Sequence, residues 1–205
     1  MRGLLLLLLL LLAPAARGEE IVPGLSSNQV AIDATFDGSD ILIFGAVKRD
    51  APAPEGASPL EVVITVSGPP QRLTVREAER RLGIWVNTGA VEVDAAPSFY
   101  AVAATGALSE VLSDTEDLRR SISISRAIRA VGNDVGNRDD FLDALIRLRQ
   151  EEGRYQLLEG RVTFPQQTLF RTQIALPANL TEGDYATRIF LTRDGAVVHP
   201  NFGGA

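Results

Sequence analysis

The sequence predicts a mainly β protein: an immunoglobulin-like, antiparallel β-sandwich with a helical insertion at about residues 107–156. Three observations carry this expectation. Apolar runs of strand length, rich in valine and isoleucine, recur before residue 104 and again after residue 160. Between them the period becomes that of an amphipathic helix, most plainly where Phe141, Leu142, Leu145, Ile146 and Leu148 form one apolar stripe. Finally, Leu176 to Tyr185 carries the leucine, glycine and tyrosine of a tyrosine corner, in which a phenol bonds back to nearby backbone and fixes a crossover between sheets.

The elements follow in order. Met1-Arg2-Gly3, nine leucines from Leu4 to Leu12 and a small-residue stretch predict a secretory signal peptide over residues 1–18. The leucine run falls short of the ~20 apolar residues that cross a bilayer. The domain is then expected at residues 19–198, with a tail at 199–205. Val30, Ile32, Ala34 and Phe36 alternate with more polar residues as a half-buried strand does, and Asp37-Gly38 suits a tight turn. Ile41 to Val47 is apolar on both faces and predicts a central strand, followed by a proline-rich connection at 51–59.

Val62, Ile64 and Val66 share one face of the next strand, opposite Glu61, Val63 and Thr65, and Gly68-Pro69-Pro70 ends it. Leu73 and Val75 alternate with Arg72, Thr74 and Arg76 in a short, charged edge strand. Ile84-Trp85-Val86, Val91-Glu92-Val93 and residues 99–103 read as three short strands, with Trp85 and Phe99 as core and Tyr100 on the face opposite Phe99. Ser121 to Ser125 is read as helix; Asn137 is a cap, with Asp139 and Asp140 at the positive end of the helix that follows. Strands return at Arg161 to Phe164, Leu169 to Leu176 and Tyr185 to Thr192. Asp194-Gly195 turns into a last strand, Ala196 to Val198, that Pro200 stops.

Composition narrows the function. The chain has 205 residues and a net charge of −6, its 26 acids and 20 bases scattered with no basic block, so it lacks the footprint of a nucleic-acid binder. Cysteine is absent, which excludes disulfides, thiol catalysis and thiolate metal sites. The single histidine, His199, falls in the expected tail, a poor place for a catalytic imidazole and too few for a histidine metal site. The stretch from Gly132 to Asp140 looks superficially like a calcium loop, but Val135 and Arg138 break its register, and a turn plus helix cap accounts for it. No catalytic, metal or cofactor-binding residue is therefore assigned, and the expectation is a non-enzymatic binding or accessory module. Trp85, Asn87 and Tyr100 are the candidate partner contacts, because exposed aromatics supply rigid contact area. The alternatives are a carboxylate-dependent glycan or peptidoglycan hydrolase using Asp139, Asp140, Glu151 and Glu152, and a periplasmic small-ligand binder.

Several blocks of the chain resemble one family. Glu20-Ile21-Val22-Pro23-Gly24-Leu25-Ser26, Val30-Ala31-Ile32, Phe36-Asp37-Gly38 and Ile43-Phe44-Gly45-Ala46 are similar to the start of the alphaproteobacterial putative transmembrane protein family. Gly68-Pro69-Pro70-Gln71, Leu82 to Asn87, Pro97 to Ala103, Leu169-Phe170-Arg171 and Leu176 to Asn179 resemble its later signatures. The resemblance implies an exported periplasmic domain, held to the inner membrane in family members by one C-terminal helix. It also implies an accessory role near sulfite-exporter-like permeases, making an inner-membrane transporter the expected partner. Residues 196–205 contain no apolar run of membrane length, which departs from that pattern.

Overall fold

The computed structural model describes residues 19–25, 38–49, 56–81, 83–130 and 138–201. The leader expected at 1–18, the strand expected at Val30 to Phe36 and the turn expected at 132–137 lie outside them. The chain is mainly β, in two sheets and a separate arm. One sheet has the order β1 (Glu19–Leu25), β2 (Ser39–Arg49), β8 (Leu169–Leu176). The other runs β10 (Ala196–Asn201), β9 (Ala186–Arg193), β3 (Glu61–Ser67), β6 (Tyr100–Ala104), β7 (Tyr155–Leu158). The arm is the hairpin of β4 (Pro70–Arg81) and β5 (Ile84–Pro97).

The two sheets face each other through one apolar core. Ile43 and Val47 of β2 and Phe170, Ile174 and Leu176 of β8 meet Val62, Ile64 and Val66 of β3, Ala101 and Ala103 of β6, and Ile189 and Leu191 of β9. Along β8 buried and exposed residues alternate strictly, as the period of a strand with one wet face requires. Gly45 pairs with Phe170, and a side chain at Gly45 would overlap that ring. Close approach, not backbone freedom, explains this glycine. The Asp194-Gly195 turn, with φ of 51° and 74°, joins β9 to β10 in the left-handed pair of conformations that tight hairpins prefer.

A third layer covers the outer face of the larger sheet. It comprises α1 (Leu108–Val111), α2 (Asp114–Arg120), α3 (Ile124–Ala127) and α4 (Arg138–Glu151). Their Val111, Leu112, Ile122, Ile124 and Leu145 pack on Val63, Tyr100, Val102 and Phe190. This is why β3 is buried from Val62 to Val66 on both faces. Arg188 pins the layers together: its guanidinium donates to Thr65 Oγ1, to the Arg120 and Ser121 carbonyls and to Tyr100 Oη, and lies 5.4 Å from the Phe190 ring centroid. Ser113 caps α2 by accepting from the Glu116 amide, and the Asp117 carboxylate accepts from the amides of Ile122 and Ser123.

Several expectations need correction. The helical segment ends at Glu151, and β7 starts at Tyr155, pairing parallel to β6. The insertion is thus the crossover that a parallel pair demands, and the sheet is not wholly antiparallel. Ile84 to Val86 and Val91 to Val93 are one continuous strand, β5, and the short strand at Leu73 is part of the 12-residue β4. Of Arg161 to Phe164, only Thr163 makes a bridge, to Arg171. Of Ser121 to Ser125, Ile124 and Ser125 enter the single turn of α3. The last strand runs through His199 and Pro200 to Asn201, so His199 stands in a strand. β10 is an edge strand, a place where proline is tolerated.

Candidate functional site

The arm differs along its length. Near the root, Leu73 and Val75 of β4 pair with Val93 and Val91 of β5, and this face turns toward the helical layer. Ala95 exchanges both backbone hydrogen bonds with Arg129, at 3.1 and 2.7 Å, clamping the root to the segment after α3. Phe141 of α4 lies against Gly89, where an added side chain would meet the ring at 2.9 Å. Beyond Gly89 the register shifts: Glu77 pairs with Gly89 but Ala78 with Asn87, leaving Thr88 as the extra residue of a bulge.

Past that bulge every described side chain is exposed. Arg80 pairs with Trp85 and Arg81 with Ile84 across a turn that contains Gly83. By the strand period, Arg80, Trp85, Ala78 and Asn87 share one face of the ribbon, and Glu79, Val86 and Ile84 share the other. Trp85 is 72 % exposed, Ile84 66 % and Val86 37 %. The expectation of Trp85 as core filler is therefore wrong. The run Ile84-Trp85-Val86 is apolar on both faces, which ordinarily signals a strand buried between layers, but here no layer of described residues covers either face.

The other two candidate contacts separate. Asn87 sits on the Trp85 face of the arm, exposed. Tyr100 is 1 % exposed and cannot touch a partner. Its hydroxyl donates to the Ile122 carbonyl at 2.9 Å and accepts from Arg188 at 3.0 Å, tying the helical layer to the sheet. Burial raises its pKa above the ordinary phenol value, and the Arg188 charge works against that rise. Phe99 is fully buried, as expected, with its ring 6.2 Å from that of Tyr185. Tyr185 donates to the Thr181 carbonyl four residues upstream at 2.8 Å, the bond that the tyrosine-corner pattern predicts.

The carboxylate pairs do not converge. Asp139 and Asp140 are exposed in the first turn of α4, and Glu151 and Glu152 are exposed at its other end, about 18 Å away at 1.5 Å per residue. Cooperating glycosidase carboxyls stand roughly 5 to 9.5 Å apart. Among the described residues, no group of three or more His, Cys, Asp or Glu could hold a metal ion, and no helix is long and apolar enough to cross a membrane.

A cavity of about 420 Å³ opens at one end of the sandwich, lined by Leu60, Glu61, Thr105, Val162, Phe164 and Gln166 among others. The Glu61 carboxylate accepts from the Thr105 hydroxyl and faces no cation among the described residues. Gln166 and Gln167 hold positive φ values of 53° and 51°, an uncommon conformation for residues with side chains. Sequence reasoning missed this cavity, because its lining comes from three distant segments with no shared motif. It also missed Arg188, although an arginine directly before the apolar run Ile189-Phe190-Leu191 signals a half-buried cation with partners.

These features define a three-layer, mainly β domain without converging catalytic groups among its described residues, bearing one projecting arm. The chain belongs to the family described as Putative transmembrane protein (Alph_Pro_TM), whose model matches residues 20–201. It matches no curated protein and no solved structure.

Proposed function

We propose that the protein is a non-enzymatic binding or accessory module of the cell envelope, exported to the periplasm, which docks through the tip of the β4–β5 arm and supports an inner-membrane component such as a transporter. The observation that carries this reading is the exposed Ile84-Trp85-Val86 run on an arm whose outer half packs on nothing described. Large apolar side chains held in water cost solubility, and clustered exposure of this kind marks interaction surfaces. The sandwich itself is read as immunoglobulin-like. Its order, β1-β2-β8 facing β10-β9-β3, together with the Tyr185 bond at the β8–β9 corner, supports that class.

A photo-crosslinking residue at position 85, compared with one at exposed Glu110, tests the docking reading in intact cells. The expected result is a discrete adduct from position 85 alone. Equal background from both positions argues against it.

The cavity beside Glu61 favours a second reading, a small-ligand binder for organic cations, since Leu60, Val162 and Phe164 stand beside a carboxylate that faces no cation among the described residues. Thermal-shift screening with primary amines and their neutral alcohols tests this, with Glu61→Gln expected to erase any amine-specific shift. The hydrolase reading gains no support from carboxylate pairs placed at opposite ends of α4.

A further inference from the structure

The tip's chemistry points to what it docks on. Resting on the docking reading above, we propose that the tip seats in the headgroup layer of an anionic lipid bilayer. A two-stranded ribbon has two faces, and here both are apolar at the end: Trp85 on one, Ile84 and Val86 on the other, all exposed. A flat protein surface would cover one face and leave the second wet. A fluid layer that surrounds the tip accepts both.

Charge agrees with this occupant. The arm carries four arginines, Arg72, Arg76, Arg80 and Arg81, and four acids, Glu77, Glu79, Glu92 and Asp94, so it is neutral as a whole. The distribution is uneven, because the outer stretch from Ala78 to Asn87 holds two arginines, Arg80 and Arg81, against one acid, Glu79, which stands farther from the turn than either. Tryptophan beside arginine is the pairing that membrane interfaces favour, the ring at the headgroup level and the cations near phosphate. The length fits as well. From the Ala78–Asn87 pair to the turn is about 13 Å at ~3.3 Å per residue, comparable to the ~5–10 Å depth of interfacial insertion. Deeper entry is excluded, because the open edges of β4 and β5 need water for their unpaired backbone groups.

The test uses the purified protein with phosphatidylcholine vesicles, with and without phosphatidylglycerol. Trp85, the chain's single tryptophan, reports directly. Phosphatidylglycerol vesicles are expected to shift its emission to the blue and to make it quenchable by lipids brominated near the headgroup but not at the chain ends. Co-sedimentation is expected to weaken as salt rises, and to fall about tenfold in Trp85→Ala and in the Arg80→Ala, Arg81→Ala double variant, with circular dichroism unchanged. Unaltered emission with phosphatidylglycerol vesicles overturns the lipid assignment. If the position-85 crosslink to a membrane protein persists in that case, the occupant is protein and the docking reading stands. If both signals are missing, the two fail together.

Discussion

The strand β3 and the outer end of β5 are built from similar residues and meet opposite fates. Val62 to Val66 of β3 is buried on both faces, while Ile84 to Val86 of β5 is exposed on both. What separates them is the number of layers. β3 lies between β9 and β6 in its own sheet, with the β2–β8 layer on one side and the helices on the other. The end of β5 has one partner strand and, among the described residues, no cover. A strand's composition tells how much apolar surface it offers; whether that surface is used for folding depends on layers assembled from distant sequence. In this molecule the facing sheets bury their apolar surface against each other, and the end of the arm leaves its own exposed.

The contrast can be tested by mutation, starting with the core. Phe99→Ala removes a fully buried ring and is expected to cost about 3–5 kcal/mol, read as a lower urea midpoint at unchanged slope. A cost below ~1 kcal/mol would mean that the core does not sit between these sheets.

Alkali is the next largest effect. Tyr155 is buried, donates to the Pro97 carbonyl at 2.8 Å, and burial pushes its pKa up to about 12. The unfolded phenol ionises near pH ~10, so between pH 10 and 12 the unfolded state holds fewer protons than the folded one. Stability is therefore whole below pH ~10 and falls by about 2–3 kcal/mol as pH rises through the folded value. Tyr155→Phe should flatten much of that slope in urea titrations across this window; Tyr100 and Tyr185, also raised by burial, leave a remainder.

Tyr185→Phe is expected to cost about 1 kcal/mol, the typical worth of a hydrogen bond such as the one to Thr181, with the surrounding fold retained. Smallest of all is Trp85→Ala, which should change the urea midpoint by less than about 0.5 kcal/mol despite deleting the largest side chain in the protein. A loss comparable to that of Phe99→Ala would place the tip inside a packed core and remove the distinction between the two regions.

Much of the sandwich was legible because its signals are local. Alternation in Leu169 to Leu176, the Asp194-Gly195 turn and the Tyr185 corner each depend on a few neighbouring residues, and each stands where the pattern predicts. The family, too, was legible from short blocks. The arm was not. Asn87-Thr88-Gly89 looks like a break between strands, yet one extra residue is absorbed as a bulge and the ribbon continues. Tyr100 failed for the converse reason. Its partners, Ile122 and Arg188, are 22 and 88 residues away, so no local pattern reveals that its hydroxyl is needed inside.

The central claim, that the arm's tip stands clear of the core, is tested most directly by the fluorescence of Trp85 in the folded protein without lipid or partner. A single tryptophan makes the signal unambiguous. The structure predicts red-shifted, water-like emission that iodide quenches readily, changing little on urea unfolding. Blue-shifted emission shielded from iodide, turning water-like only on unfolding, would contradict it.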